Sequence, residues 1–186
     1  MSTSPNSPYH HGNLRQALLE AALIILEKED EAGLGLRDLA RAVGVSAAAP
    51  YRHFDSRAAL LEALAVTGFQ RFSAAMSAVT DSAPADPMAA MGKTYVLFAL
   101  ENANLFRLMF SPQLKKDGRP GLRMAADAAF DTLRHVVGGD VQTGRIKALA
   151  AWAKVHGLAI LLLDGQIAIR AGEDTEALIA EIVGSL

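Results

Sequence analysis

LRDLARAVGVSAAAPYRHF, from Leu36 to Phe54, is the stretch on which the reading of this chain turns. Leu36, Leu39, Ala40 and Val43 recur at helical spacing and form one apolar face. Gly44 ends that helix, because glycine accepts the left-handed conformation wanted just past a helix C-terminus. Val45 packs back across the turn. Ser46 is a strong N-cap, so a second helix is expected to begin there. Pro50 falls in its first turn, where a missing N–H costs less than in a helix interior. Tyr51, Arg52 and His53 follow as three hydrogen-bond donors in a row. Phe54 is expected against the core, and Asp55 and Ser56 offer the next N-cap before Arg57.

Two helices joined by a short glycine turn make a helix-turn-helix, whose second helix lies in the major groove of DNA. Ala47, Ala48 and Ala49 are small enough for close approach, and their methyls suit apolar contact with a thymine methyl. An ordinary pair of core helices shares the same turn, so the motif alone does not decide.

A wider match does. YHHGNLRQALLEAAL (Tyr9 to Leu23) and LRDLARAVGVSAAAPYRHFDSRAALLEAL (Leu36 to Leu64) closely resemble the N-terminal domain of TetR-family (tetracycline-repressor-like) transcriptional regulators. The spacing V-S-x-x-x-x-Y-x-H-F followed by a basic residue, Arg57, is its specific part. The resemblance implies an all-α fold, with a three-helix helix-turn-helix DNA-binding domain over 1–60 and a flexible arm over 1–8. A helical bundle for ligand binding and dimerisation over 61–186 would follow. It implies a double-stranded DNA operator contacted by Arg15, Arg37, Ser46, Ala47, Ala48, Tyr51, Arg52, His53 and Arg57, with Tyr51 and His53 on phosphates. Where the family often places Ser or Thr as N-cap of the second helix, this chain has Gly35, a weaker cap.

Charge argues less clearly. The 186 residues carry 18 Lys and Arg against 20 Asp and Glu, a net charge of -2. Up to Leu60 there are 6 basic residues (Arg15, Lys28, Arg37, Arg41, Arg52, Arg57) against 7 acidic ones (Glu20, Glu27, Glu29, Asp30, Glu31, Asp38, Asp55). DNA binders carry a basic patch. Here it must come from arrangement, with Arg37, Arg41, Arg52 and Arg57 near DNA and the Glu27–Glu31 cluster facing away.

The 51 % hydrophobic share, rich in Ala and Leu, favours helices and gives no sign of disorder. With no cysteine, neither disulfides nor thiolate metal sites exist. His10 and His11 are adjacent, do not share a helix face and have no further ligands at metal spacing, so no metal is expected. The polar start MSTSPNSPYHHGN has no apolar core of a signal peptide. The longest strongly apolar run, Gly157 to Leu163, is too short to span a bilayer. A soluble cytoplasmic protein without membrane contact is expected.

Helical patterning predicts helices from Asn13 as cap to about Glu31, with Leu14, Leu18, Ala21 and Ile25 inward, and from Ser56 to about Val79. After a break at Thr80–Pro87 come about Met88–Glu101, Asn104–Phe110, Pro120–Val137, Arg145–Ala171 and Thr175–Val183, with a turn at Gly138-Gly139-Asp140. No strand alternation and no repeat appear.

Trp152 and His156 stand four apart on one helix face. Their W-x-x-x-H-G pattern resembles the ligand-binding C-terminal domain of one TetR-like subgroup. In such proteins the domain binds a small molecule, dimerises, and releases DNA on binding. Phe98, Phe106, Met109, Phe130, Trp152 and His156 are the candidate pocket residues, with an apolar, unidentified effector; Met76, Met88, Met91, Phe110 and Met124 could add to them. A core tryptophan beside a hydrogen-bonded histidine, with Gly157 allowing close helix packing, is the alternative. The helix from Arg145 is apolar nearly all round and so must be buried on several sides, in a homodimer with the Leu178, Ile179, Ile182 and Val183 stripe or within one chain. The function expected is a ligand-released repressor without cofactor. Its rivals are a non-specific DNA-binding structural protein and an enzyme, for which Asp164, His135 and His156 are the only obvious candidates.

Overall fold

A computed structural model of the protein describes residues 14–29, 31–114 and 118–184. Residues 1–8, His10, His11 and the Asn13 cap lie outside the described residues. Among those described there are eight α-helices and no strand. They are α1 (Leu14–Lys28), α2 (Leu36–Val43), α3 (Arg57–Asp81), α4 (Pro87–Glu101), α5 (Ala103–Met109), α6 (Pro120–Val137), α7 (Val141–Leu163) and α8 (Thr175–Gly184). The chain divides into two compact units at Leu64/Ala65, inside α3.

In the first unit α1 buries Leu18, Leu19, Ala22, Leu23 and Leu26. That face is rotated from the expected Leu14, Leu18, Ala21, Ile25 stripe. Apolar residues occupy most of the circumference of LRQALLEAALIILEK, so periodicity alone does not choose a face. α1 stops at Lys28, ahead of the expected Glu31, and a 3-10 turn occupies Glu31–Gly33. Leu34, Leu36, Leu39, Ala40, Phe54, Leu60, Leu61 and Leu64 complete the buried set. Gly44 ends α2 in the left-handed region at φ 74°. Gly35 opens α2 without a side-chain cap bond. The Ser56 side chain caps α3, its Oγ accepting from the Ala59 N–H at 3.2 Å.

The helix expected from Ser46 is not α-helical. After a turn at Ala47 and Ala48 the chain makes only a 3-10 helix, Pro50–Arg52. Pro50 has no N–H to close the first i→i−4 ring on the Ser46 carbonyl. The Ala49 N–H takes that carbonyl instead, at 2.9 Å, and His53 N–H bonds to Pro50 O at 2.9 Å. The proline expected to be harmless in a first turn thus sets the tighter geometry.

In the second unit, caps follow the sequence closely. Asp86 accepts from Ala89 N–H at the start of α4. Asp140 accepts from Gln142 and Thr143 N–H at the start of α7, and these bonds hold its carboxyl below its usual range. α7 therefore begins before the expected Arg145. It ends at Leu163, well before Ala171. There Arg107 donates to the Leu163 carbonyl at 3.0 Å and pairs with Asp164 at 2.6 Å.

Val96, Leu158, Ile179 and Val183 bring α4, α7 and α8 into one apolar cluster. Gly92 permits this approach: a Cβ there would lie 2.4 Å from Val183 Cγ1 and 3.3 Å from Val155 Cγ1. Gly157, expected at a close packing point, would present a Cβ to open space within the chain. The Gly157–Leu163 run is too short to span a bilayer, but α7 as a whole is long and apolar enough, by length and composition, to cross one. Nor is α7 buried on several sides within this chain. Of its residues only Gly144, Ala148, Leu158 and Ala159 are buried, while Val141, Ile146 and Leu161 are 78 %, 56 % and 44 % exposed.

Gly92→Ala is expected to destabilise the protein by about 1–3 kcal/mol through overpacking against Val183. Gly121→Ala, where a Cβ meets nothing, should instead raise stability by up to about 1 kcal/mol through helix propensity. Urea unfolding of both variants checks the opposite signs.

Candidate functional site

Two groups of side chains stand out, one in each unit. In the first, Pro50 and Phe54 are buried and anchor the short 3-10 segment at its ends. Between them Tyr51 and Arg52 point outward and are exposed, and His53 is half-buried. Ser46, Ala47 and Ala48 are exposed just before them, as is Arg37 on α2. Arg15 is exposed on the first turn of α1, its guanidinium carbon 5.3 Å from the centre of the Phe54 ring. Arg41 pairs with Asp38 on the surface at 3.2 Å. Arg57 has an internal role that sequence reading missed. Its guanidinium donates to the Leu34 carbonyl at 2.8 Å and to the Glu31 carbonyl. It ties the start of α3 to the turn before α2.

In the second unit a cavity of about 220 Å³ opens between α3, α4, α6 and α7, walled also by Phe110 just past α5. Phe69, Phe72 and Met76 enter from α3, Met88, Met91 and Tyr95 from α4, Phe130 from α6 and Trp152 from α7. Of the six expected pocket residues, Phe130 and Trp152 line it. Phe98, Phe106, Met109 and His156 do not. Phe106 and Met109 are fully buried and Phe98 nearly so. They form the packed layer behind the wall: Phe98 stands edge-on to Phe72 at 5.2 Å and Phe106 to Tyr95 at 5.7 Å. Met109 packs over Gly68, where a Cβ would come within 2.7 Å of its side chain. Met124, a further candidate, is 72 % exposed.

Tyr95 is the residue that sequence reading missed. Its hydroxyl lies 2.8 Å from His156 Nδ1 and receives the Trp152 Nε1–H at 3.0 Å. An indole nitrogen can only donate. The Tyr95 O–H can therefore donate to Nδ1 of a neutral His156 protonated at Nε2. Burial favours the same state, holding the imidazole below its ordinary range and pushing the Tyr95 phenol well above its own. One signal was present in the sequence: Tyr95 is the only hydroxylated aromatic in the otherwise apolar YVLFAL of α4.

The three enzyme candidates have separate partners. Asp164 pairs with Arg107, His135 Nδ1 sits 2.7 Å from the Asp131 carbonyl, and His156 meets Tyr95. Among the described residues no three of His, Asp or Glu converge at metal-binding distance.

Residues 18–64 match the family described as bacterial regulatory proteins, tetR family, and residues 88–186 match the tetracyclin repressor-like C-terminal domain. This chain belongs to the TetR family. A protein of unknown function from Rhodococcus sp. RHA1 has a similar structure, with 37 % identity over 97 % of this chain and 94 % of that one, at TM-score 0.80. The TetR-family transcriptional regulator PfmR from Thermus thermophilus shares 20 % identity over 90 % and 94 % of the two chains, at TM-score 0.62. AibR, solved with isovaleryl coenzyme A and operator DNA, shares 20 % over 92 % and 97 %, at TM-score 0.65. At that identity the last two show a shared fold. No curated protein sequence matches the chain. As a TetR-family member it is a DNA-binding transcriptional regulator, and the Tyr51–His53 segment lies within the matched DNA-binding domain.

The buried Tyr95–His156 contact carries a pH consequence. Because burial lowers the His156 pKa, the unfolded chain takes up the proton before the folded one does. This contribution to stability is full above the ordinary histidine value of 6.5 and is lost as pH falls through it toward the folded value. His156→Gln keeps an acceptor for Tyr95 but does not titrate. Its thermal midpoint should fall less than that of the parent protein between about pH 7.5 and about pH 5.5. Parallel curves would show that His156 carries no such penalty.

Proposed function

We propose that this chain is a soluble cytoplasmic repressor that binds its operator as a homodimer and is released by a small apolar effector. In this reading residues 1–60 serve DNA binding, and 61–186 serve ligand binding and dimerisation. Arg15, Arg37, Ser46, Ala47, Ala48, Tyr51, Arg52, His53 and Arg57 form the DNA surface. The effector occupies the cavity beside Trp152 and Tyr95.

The observation that carries the reading is the 25-residue helix α3. Its first residue, Arg57, bonds to the Glu31 and Leu34 carbonyls, and Phe69, Phe72 and Met76 of the same helix wall the cavity. A ligand shifts a protein only through its differential affinity for two states. An effector that favours one setting of α3 couples to DNA binding through an unbroken helix, and DNA must then weaken effector binding by the same factor.

The dimer reading is supported by the exposed apolar side chains of α7 and by the DNA, since two-fold dimers read two half-sites one helical turn, about 34–36 Å, apart or a multiple of it. Within the chain Ile182 packs against the Val96, Leu158, Ile179 and Val183 cluster. A charge at Ile182 would therefore disturb the protomer as well as an interface. Leu161, 44 % exposed, isolates the assembly.

The deciding experiment is a gel shift on the DNA upstream of the protein's own gene, with random DNA as competitor. Specific retention is expected; equal retention of all sequences would favour the structural DNA-binding protein. Tyr51→Phe should cost about 0.5–1.5 kcal/mol of operator binding by removing one hydrogen bond. Arg52→Ala should lower the salt dependence of binding if it holds a phosphate, or relax specificity at one base pair if it reads a base. Unchanged binding when Tyr51, Arg52 and His53 are all alanine would refute the surface.

Leu161→Glu should shift the protein toward monomer, because an unpaired charge in an apolar interface is costly. Light scattering at micromolar concentration checks it. A parent protein that is already monomeric yet fully active on DNA would exclude the dimer.

A further inference from the structure

We infer that the effector is a lipophilic cation, an apolar body bearing a protonated nitrogen, and that the cavity rejects carboxylates of the same shape. This rests on the proposed reading of the cavity as the effector site.

Three features of the wall point the same way. The first is its hydrogen-bonding inventory. The Trp152 N–H goes to the Tyr95 oxygen, and the Tyr95 hydroxyl lies 2.8 Å from His156 Nδ1. With a neutral His156 accepting at Nδ1, both polar hydrogens of the inner wall are spent within the protein. The Tyr95 oxygen keeps one lone pair, so what the wall offers a ligand is an acceptor. A ligand bearing N–H donors uses that lone pair without disturbing the chain. A carboxylate would have to draw the O–H away from His156 and leave a half-buried nitrogen without its partner, which is costly.

The second feature is charge. Asp127 on α6 is the one charged side chain among the described residues of the wall. Its ion-pair partner, Arg123, stands 3.7 Å away, one helical turn back on the exposed face of α6. Both side chains are more than two-thirds exposed, and a loose surface pair of this kind holds its partners weakly. Arg123 does not line the cavity. An ammonium group entering past Asp127 meets an anion held only in this loose surface pair, and a carboxylate meets like charge.

The third feature is the aromatic content of the wall. Phe72, Phe110, Phe130 and Trp152 surround the space. Aromatic rings attract cations through their quadrupole and give anions no such attraction. At about 220 Å³ the cavity suits a compact ligand.

Trp152 provides the assay, being the only tryptophan in the chain and part of the wall. The full-length protein is titrated at neutral pH with three probes of one shape: phenylbutylammonium, phenylbutanol and phenylbutanoate. Trp152 fluorescence is followed. The ammonium probe is expected to bind on the order of tenfold more tightly than the carboxylate, with the alcohol between. Asp127→Asn, at an exposed position, should weaken the ammonium probe severalfold and leave the alcohol unchanged. Carboxylate binding as tight as ammonium binding, or an ammonium preference indifferent to Asp127→Asn, would overturn the inference and leave the cavity a ligand site. Failure of all three probes to perturb Trp152 would overturn the ligand-site reading together with the inference.

Discussion

The second unit depends on satisfying one buried hydroxyl. Tyr95 sits among Phe72, Phe106 and His156, with ring centres 5.1, 5.7 and 6.2 Å away. A hydroxyl buried in such surroundings without partners would cost more than the ring gains by its polarity. Trp152 and His156, one turn apart on α7, both reach it. The three side chains lock α4 to α7 at one rotational setting, and the space left beside them is the cavity. The same bonds that hold the helices also decide what the cavity offers a ligand. Structure and recognition therefore share their polar atoms.

The first unit is organised by a different constraint. A segment meant to meet another molecule must hold its polar side chains outward without a long helix to stiffen it. Here burial of Pro50 and Phe54 pins both ends of a single 3-10 turn, and Tyr51 and Arg52 project from between these anchors. Arg57 adds a second restraint by bonding to the Leu34 and Glu31 carbonyls. Those carbonyls lie between α1 and α2, where the Glu31 carbonyl also accepts the Leu34 N–H at 3.2 Å. A cation placed beside DNA by sequence analogy is also a cross-brace of the fold.

α7 shows how composition can mislead about burial. Its apolar circumference demands cover, yet the single chain covers only one side. Val141, Ile146 and Leu161 remain exposed, and Gly157 faces open space. Close packing falls at Gly92 of α4, whose missing Cβ admits Val183 and Val155. That glycine stands in a helix whose local pattern offers no reason to single it out.

Sequence alone was enough for the helical class, several helix ends and the place of the helix-turn-helix segment. These follow from local chemistry: the cap Ser56, the left-handed Gly44, and helical spacing of apolar side chains are all written within a few residues. Residues 9–64 also carried a family resemblance specific enough to name. The remainder was settled by tertiary packing. Packing chose which face of an almost uniformly apolar α1 turns inward, a choice left to the partners it meets. The 3-10 geometry in place of the expected recognition helix is by contrast local, since Pro50 has no N–H for the Ser46 carbonyl and the Ala49 N–H takes it. Packing also separated Phe130 and Trp152, which line the cavity, from Phe98, Phe106 and Met109, which support it. All five are large apolar residues on helices, and no local pattern distinguishes wall from backing. That distinction arises only when helices distant in the chain are brought together around one tyrosine hydroxyl.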